Sequence, residues 1–393
     1  MKKTNYKVQY SLYLKQLLVF VFSIVLVISI FDRTEAQSLI TGLNNKEEFD
    51  SLVLSISNPL YNLNFAETEK RINNLKRRIP DHPIIDLLYA INVSWQSLPE
   101  PLPEKFDIIK TYLENSIEKS ELWLEKEPDS PEPIFFLLMS HGLLAQYYNE
   151  QGSTFKTMSE AKRAYNKILR GFELKEQYNE FLFSCGLYNY YIERYPQLYP
   201  AYKPFTWLFR SGDITKGLQQ LDSARKVTVL ARVESAHYLA YIYLRYENQP
   251  RKAINVLVPL VPEFPGNLYF KLLLLEAYTD VGKLAQVSDM IDDLSTSSRN
   301  YYKLCGNSYK GVLYEKYKFD DILAAKYFNE AINITEKLFS RDVHSLGIAY
   351  AGLARISARK KQMKEAREYY KLSLKYTDTE SLRQEAKSFL KEN

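Results

Sequence analysis

The chain has 393 residues, 46% of them hydrophobic and 25% charged, a balance that excludes wholesale disorder. Its 2 cysteines exclude a disulfide framework or a cysteine-built zinc site, and its 13 glycines argue against a Gly-rich β-barrel or propeller. Of the formal net charge of +5, the first 36 residues supply +3, so the remainder is nearly neutral at +2 and carries no electrostatic footprint for nucleic acid.

Residues 1–36 read as a targeting segment. Lys2, Lys3, Lys7 and Lys15 form a basic start, and an uncharged apolar run follows from Leu17 to Phe31. The run is short for a bilayer span of roughly 20 residues. Thr34 and Ala36 are small residues at the right places for signal-peptidase cleavage before Gln37. The expectation is an exported, periplasmic or cell-envelope protein. If the segment stays uncut, it becomes an anchor and brings membrane association instead. No cysteine follows the apolar run, so a bacterial lipoprotein is not indicated.

From residue 46 onward, apolar residues recur every three to four positions and period-2 alternation is hard to find, which predicts helix after helix. First helices of successive pairs are predicted at Pro83–Gln96, Pro133–Asn149, Asn179–Arg194, Arg232–Tyr246, Leu268–Val281, Tyr302–Lys316 and Ser345–Arg359. The second helices share a triplet: a small or medium residue, an apolar or aromatic one four later, and another three beyond. The triplets are Thr68/Ile72/Leu75, Ser116/Ser120/Trp123, Ala161/Tyr165/Ile168, Gly217/Leu221/Ala224, Ala253/Leu257/Leu260, Val287/Ile291/Leu294, Ala324/Phe328/Ala331 and Ala366/Tyr370/Ser373. Small residues there allow two helices to cross closely. Pro80, Pro128 and Pro265 each lie twelve residues after the first member of a triplet and mark where a second helix stops.

Ala253 and Val287 are 34 residues apart, and the last unit runs Tyr350, Leu353, Ala354, then Glu365-Ala366 and Tyr370. On these residues the chain resembles the tetratricopeptide-repeat superfamily over roughly residues 46–393. The resemblance implies an all-α, right-handed superhelical solenoid of about eight helix pairs, each needing its neighbours to bury its apolar stripe. The chain departs from the pattern at the extended loop Leu98–Pro103 and at an insertion near residues 195–212. Residues 186–221 also have a weaker likeness to eukaryotic tetratricopeptide proteins of the outer mitochondrial membrane and of inclusion clearance. The plainer expectation for the insertion is a short extra helix that plugs the superhelix with Trp207 and Phe209.

Catalytic and cofactor motifs are not found: there is no His-Glu-x-x-His, no Gly-x-Ser-x-Gly and no phosphate loop, which predicts a non-enzymatic protein without a cofactor. Asp213 reads as a helix N-cap. Adjacent carboxylates such as Asp292-Asp293 and Asp320-Asp321 diverge by about 100° on a helix and make no acid/base couple. His141 and His237 read as packed histidines, and Cys185 and Cys305 as buried free thiols.

The candidate is therefore a surface. The resemblance implies a groove lined by first helices, which carries over to Phe183, Tyr190, Tyr191, Tyr238, Arg245, Tyr246, Glu276, Asp280, Arg355 and Arg359. Tyrosine and arginine are effective anchors at interfaces. The groove is expected to be acidic around Glu276 and Asp280, basic around Arg355 and Arg359, and to hold a protein or peptide segment. A glycan lying on tyrosine faces is the alternative.

Overall fold

The computed structural model describes residues 46–100, 102–338, 344–377 and 379–392. Among these residues there are seventeen α-helices and no strand. In chain order they are α1 Lys46–Tyr61, α2 Phe65–Arg78, α3 Pro83–Gln96, α4 Phe106–Lys126, α5 Pro131–Glu150, α6 Thr154–Leu174, α7 Phe181–Leu198, α8 Ile214–Val227 and α9 Arg232–Arg245. Then follow α10 Pro250–Glu263, α11 Leu268–Asp280, α12 Asp289–Ser295, α13 Asn300–Leu313, α14 Asp321–Ile334, α15 His344–Arg359, α16 Met363–Tyr376 and α17 Glu380–Glu392. The N-terminal targeting segment lies outside the described residues.

These make eight tetratricopeptide-like pairs and a final single helix. Six of the pairs share one local device. The first helix ends on a residue in the left-handed region: Leu63 (φ 60°), Gly152 (71°), Asn248 (49°), Gly282 (71°), Phe319 (54°) and Lys361 (60°). The next residue is the N-cap of the following element: Asn64, Ser153, Gln249, Lys283, Asp320 and Gln362. Four residues on from the cap comes the side chain at the crossing, Thr68, Thr157, Ala253, Val287, Ala324 and Ala366, each buried. Asp213 and Gly217 repeat the cap and crossing in α8, and the Asp213 carboxylate accepts from the Lys216 N–H as predicted.

In α6 this shared spacing marks a second set, Thr157/Ala161/Ala164, one helical turn before the predicted Ala161/Tyr165/Ile168, whose three residues are also buried. The helix is 21 residues long, and its buried stripe runs on through Ile168 to Leu174, so either set satisfies the pattern. Departures are at ends. The predicted helix over Tyr302–Lys316 stops at Leu313 and continues as a π-helical turn, Tyr314–Lys318. The second helix of the sixth pair is split into a 3₁₀ turn, Leu284–Val287, and the short α12. Pro80, Pro128 and Pro265 each fall two residues beyond a helix, at the ends of α2, α4 and α10.

The contacts divide the described residues into two compact units, 46–98 with 102–236, and 99–100 with the described part of 237–392. In the first, Phe49, Val53 and Ile56 of α1 join Ile72, Ile84, Phe135, Phe136 and Phe181 in one continuous core. In the second, Leu272, Leu275, Tyr302, Cys305, Tyr309 and Phe328 form the centre. A smaller cluster of Ala351, Ala354, Tyr370 and Ala386 seats α17, which buries Ala386 alone.

The insertion differs from its expectation. Helix α7 runs on through Pro196 to Leu198, and a 3₁₀ segment follows over Pro200–Leu208. Phe209 is buried edge-on against the Tyr165 ring at 5.3 Å, but Trp207 is 79% exposed and plugs nothing. Trp207 still belongs to the 3₁₀ segment, whereas Phe209 is its C-cap in extended backbone (φ −119°, ψ 155°), and this change of backbone gives the two rings different directions.

Candidate binding surface

In the first unit, Phe183, Tyr190 and Tyr191 are buried. The tyrosines continue as a ladder of rings: Tyr190 to Tyr191 at 5.1 Å, Tyr191 to Tyr195 at 6.3 Å and Tyr195 to Tyr199 at 5.1 Å. Rings so enclosed hold the packing of α7 in place. A group the sequence reading missed lies in the same unit. The Tyr61 hydroxyl and the Trp95 indole N–H both donate to one Glu234 oxygen, at 3.1 and 2.9 Å. Burial and the Glu234 charge hold the Tyr61 hydroxyl well above its ordinary pKa. The partners come from α1, α3 and α9, too far apart in sequence for any spacing to reveal them.

In the second unit, Tyr238 and Tyr246 are half-buried and Asp280 is exposed, so all three offer surface. Tyr241 lies between them in sequence; its ring meets Tyr246 at 6.1 Å and carries the Arg245 guanidinium at 5.6 Å. This aromatic stripe runs from Tyr238 and Tyr241, one turn apart on α9, to Tyr246 just past its end.

The charges are arranged differently from two free poles. Arg245 is ion-paired with the buried Glu276, its Nη2 donating to Oε2 at 2.8 Å, and His344 lies 3.9 Å from the same carboxylate. Arg355 grips the buried Glu315 with two parallel hydrogen bonds, Nε to Oε1 at 2.7 Å and Nη2 to Oε2 at 2.6 Å. Its third nitrogen donates to Glu385 at 2.9 Å, and Glu385 also accepts from the Tyr370 hydroxyl at 2.9 Å. Arg359 pairs with Asp321 at 2.6 Å and reaches Glu315 at 3.3 Å. Burial works against the Arg355 charge, but Glu315 and Glu385 outweigh it and hold its pKa above the usual value. These charges stitch first helices to one another, from α9 to α11 and from the π turn to α15 and α17. The sequence placed the residues on the right helices but could not show that they satisfy each other.

His141 Nδ1 meets Glu160 at 2.7 Å. Burial pushes the thiols of Cys185 and Cys305 up to about 12, which suits packed, unreactive cysteines. No group of three or more His, Cys, Asp or Glu fit to hold a metal occurs among the described residues.

His82 and Glu132 face each other at 3.7 Å, inside a cage of Phe49, Trp123 and Phe136 rings. The His82 Nδ1 accepts from the Ile84 N–H, so the ring proton sits on Nε2, toward Glu132. Burial lowers His82 to about 3 and raises Glu132 to about 7, so both are neutral near pH 6. A carboxyl raised on folding binds its proton more tightly in the folded chain, so it costs stability as pH rises from its unfolded value toward 7. We expect Glu132→Gln to remove that cost. Urea denaturation at pH 8 should show the variant more stable than wild type by about 1–3 kcal/mol, with the difference shrinking at pH 5.

No family model matches the chain, and no curated protein matches it. Among solved structures it is similar to the human IFIT1 dimer with PPP-AAAA, at 14% identity over 88% of this chain and 95% of that one, with a TM-score of 0.38. It is also similar to the human IFIT1 dimer with m7Gppp-AAAA, at 16% identity over 88% and 70%, with a TM-score of 0.34. Yeast Tom70 is similar at 13% identity over 88% and 96%, with a TM-score of 0.23.

Proposed function

We propose that the chain is a non-enzymatic scaffold of the cell envelope that holds a protein or peptide segment against its first helices. The observation that carries this reading is the stripe of half-buried tyrosines on α9 and just past its end, with Arg245 stacked on Tyr241. Rings already seated on a helix lose little freedom on binding and can still bury area against a partner. The charge pairs beside them are internally satisfied, so they shape the surface and the aromatic rings supply affinity.

A photo-crosslinker at position 246 would capture the partner, which is then purified and titrated. Tyr238→Ala with Tyr246→Ala should weaken that partner's binding by about 2 kcal/mol or more, roughly thirtyfold, at an unchanged melting temperature. Lys76→Ala with Arg77→Ala, on the end of α2, should leave it intact. Equal losses from both pairs would move the site away from α9. Export is a separate proposal, motivated by the basic start, the apolar run and Thr34-Glu35-Ala36. Mass spectrometry of the native protein should find an N-terminus at Gln37, and an intact Met1 on membrane-bound chain would indicate an anchor.

A further inference from the structure

Two neighbouring turns of the second unit carry exposed apolar side chains for which the fold has no use. Phe319 is 84% exposed, Ile322 80% and Met363 41%. Phe319 occupies the left-handed position (φ 54°) where two other turns place glycine. A bulky residue is strained there, and an exposed ring returns no packing for that strain. The turns are tied side by side by Arg359, next to Lys360, whose guanidinium holds both oxygens of Asp321, next to Ile322, at 2.6 and 3.0 Å.

Four lysines flank the apolar group in sequence: Lys318, Lys360, Lys361 and Lys364 are exposed, and none makes an ion pair within 4.0 Å among the described residues, although Lys371, which bonds Glu368, and Lys364 both help to hold that carboxyl below its usual range. The local acids are already engaged. Asp320 caps α14 by accepting from the N–H groups of Ile322 and Leu323, Asp321 is held by Arg359, and Glu365 accepts from the Ser357 hydroxyl.

We propose that this edge docks on an anionic lipid bilayer, with Phe319, Ile322 and Met363 entering the interface and the four lysines resting on the headgroups. Apolar side chains flanked by lysines are the composition that such surfaces bind. Phe319 stands 84% exposed in the turn before α14, and Ile322 and Met363 lie in the first turns of α14 and α16. A protein partner would need a groove or an open sheet edge to cover this group, whereas an exposed ring enters a bilayer without one. This inference is independent of the tyrosine surface on α9.

The test uses the full chain carrying Trp207→Phe with Phe319→Trp, and Trp207→Phe with Val258→Trp, at an exposed position of α10, as the control; each signal is read as the difference from Trp207→Phe alone, which keeps Trp95 and the half-buried Trp123. Vesicles of phosphatidylcholine alone are compared with phosphatidylcholine and phosphatidylserine at a roughly 2:1 ratio. Brominated acyl chains should quench the residue-319 fluorophore on the anionic vesicles only, and should not quench the residue-258 fluorophore. Because the readout is local, insertion of the N-terminal apolar run does not produce it. In co-sedimentation with the anionic vesicles, Phe319→Gly with Ile322→Asn should cut binding about tenfold, and Lys360→Glu with Lys361→Glu and Lys364→Glu by at least as much. Phe319→Gly relieves the strained position, so its melting temperature should not fall. No quenching at 319, equal quenching on neutral vesicles, or binding that survives both sets of substitutions overturns the proposal. Capture of an acidic peptide at this edge without quenching assigns it to a protein partner and overturns it too.

Discussion

Arg355→Met should lower stability by about 3 kcal/mol or more, because it strands Glu315. That carboxylate is nearly inaccessible to solvent and receives two hydrogen bonds from Arg355. Arg359 still reaches Glu315 at 3.3 Å, but it is half-exposed and committed to Asp321, so it compensates only in part. Glu385 loses a partner as well, but it keeps the Tyr370 hydroxyl and its side chain is partly exposed. The double variant Arg355→Met with Glu315→Gln removes the stranded charge and should recover most of the loss, as paired removal of a buried ion pair commonly does. Urea denaturation of wild type, both singles and the double gives the coupling directly. A double variant as unstable as Arg355→Met alone would show that the bidentate pair does not determine the stability of this unit.

The helical architecture was legible because it is periodic. Caps and small crossing residues recur in most pairs and a stop proline in three, and Pro83–Gln96 could be placed to the residue. Helix α1 was absent from the predicted first helices although the solenoid was taken to start at residue 46. Pro59 lies inside it, and its buried stripe of Phe49, Val53, Ile56 and Leu60 stands without a second signal. Helix α17 was missed because it buries only Ala386 and otherwise reads as a polar tail. The surface was legible only as a set of residue types. That Arg355 would meet Glu315, 40 residues away, depends on the π turn, which gives no sequence signal. Trp207 failed for a related reason: composition marks an aromatic segment, but which ring is buried depends on where the 3₁₀ segment ends and the extended backbone of Phe209 begins, which gives no sequence signal.

Glycines at the crossings give a second large effect, and they separate two kinds of close approach. A Cβ on Gly217 would lie 2.6 Å from the Tyr190 backbone nitrogen and 2.8 Å from the Gly186 carbonyl oxygen, so α7 and α8 meet backbone to backbone. A Cβ on Gly352 would instead overlap the Phe328 ring, which is fully buried and presses on Gly311 on its other side. Gly217→Leu and Gly352→Leu should both cost about 3 kcal/mol or more, at the upper end of what overpacking does. Their rescue should differ. Phe328→Ala vacates the space beside residue 352, so Gly352→Leu with Phe328→Ala should be closer to wild type than the sum of the two single losses by about 1–3 kcal/mol. No side-chain truncation opens the α7–α8 crossing, because the obstructing atoms belong to the main chain, and Gly217→Leu with Tyr190→Ala should be at least as unstable as the sum. Thermal or urea unfolding of the two cycles distinguishes them. Additivity at Gly352 and Phe328 would mean that the ring does not set the spacing between α13 and α15, and recovery at Gly217 would mean that the helix crossing can widen.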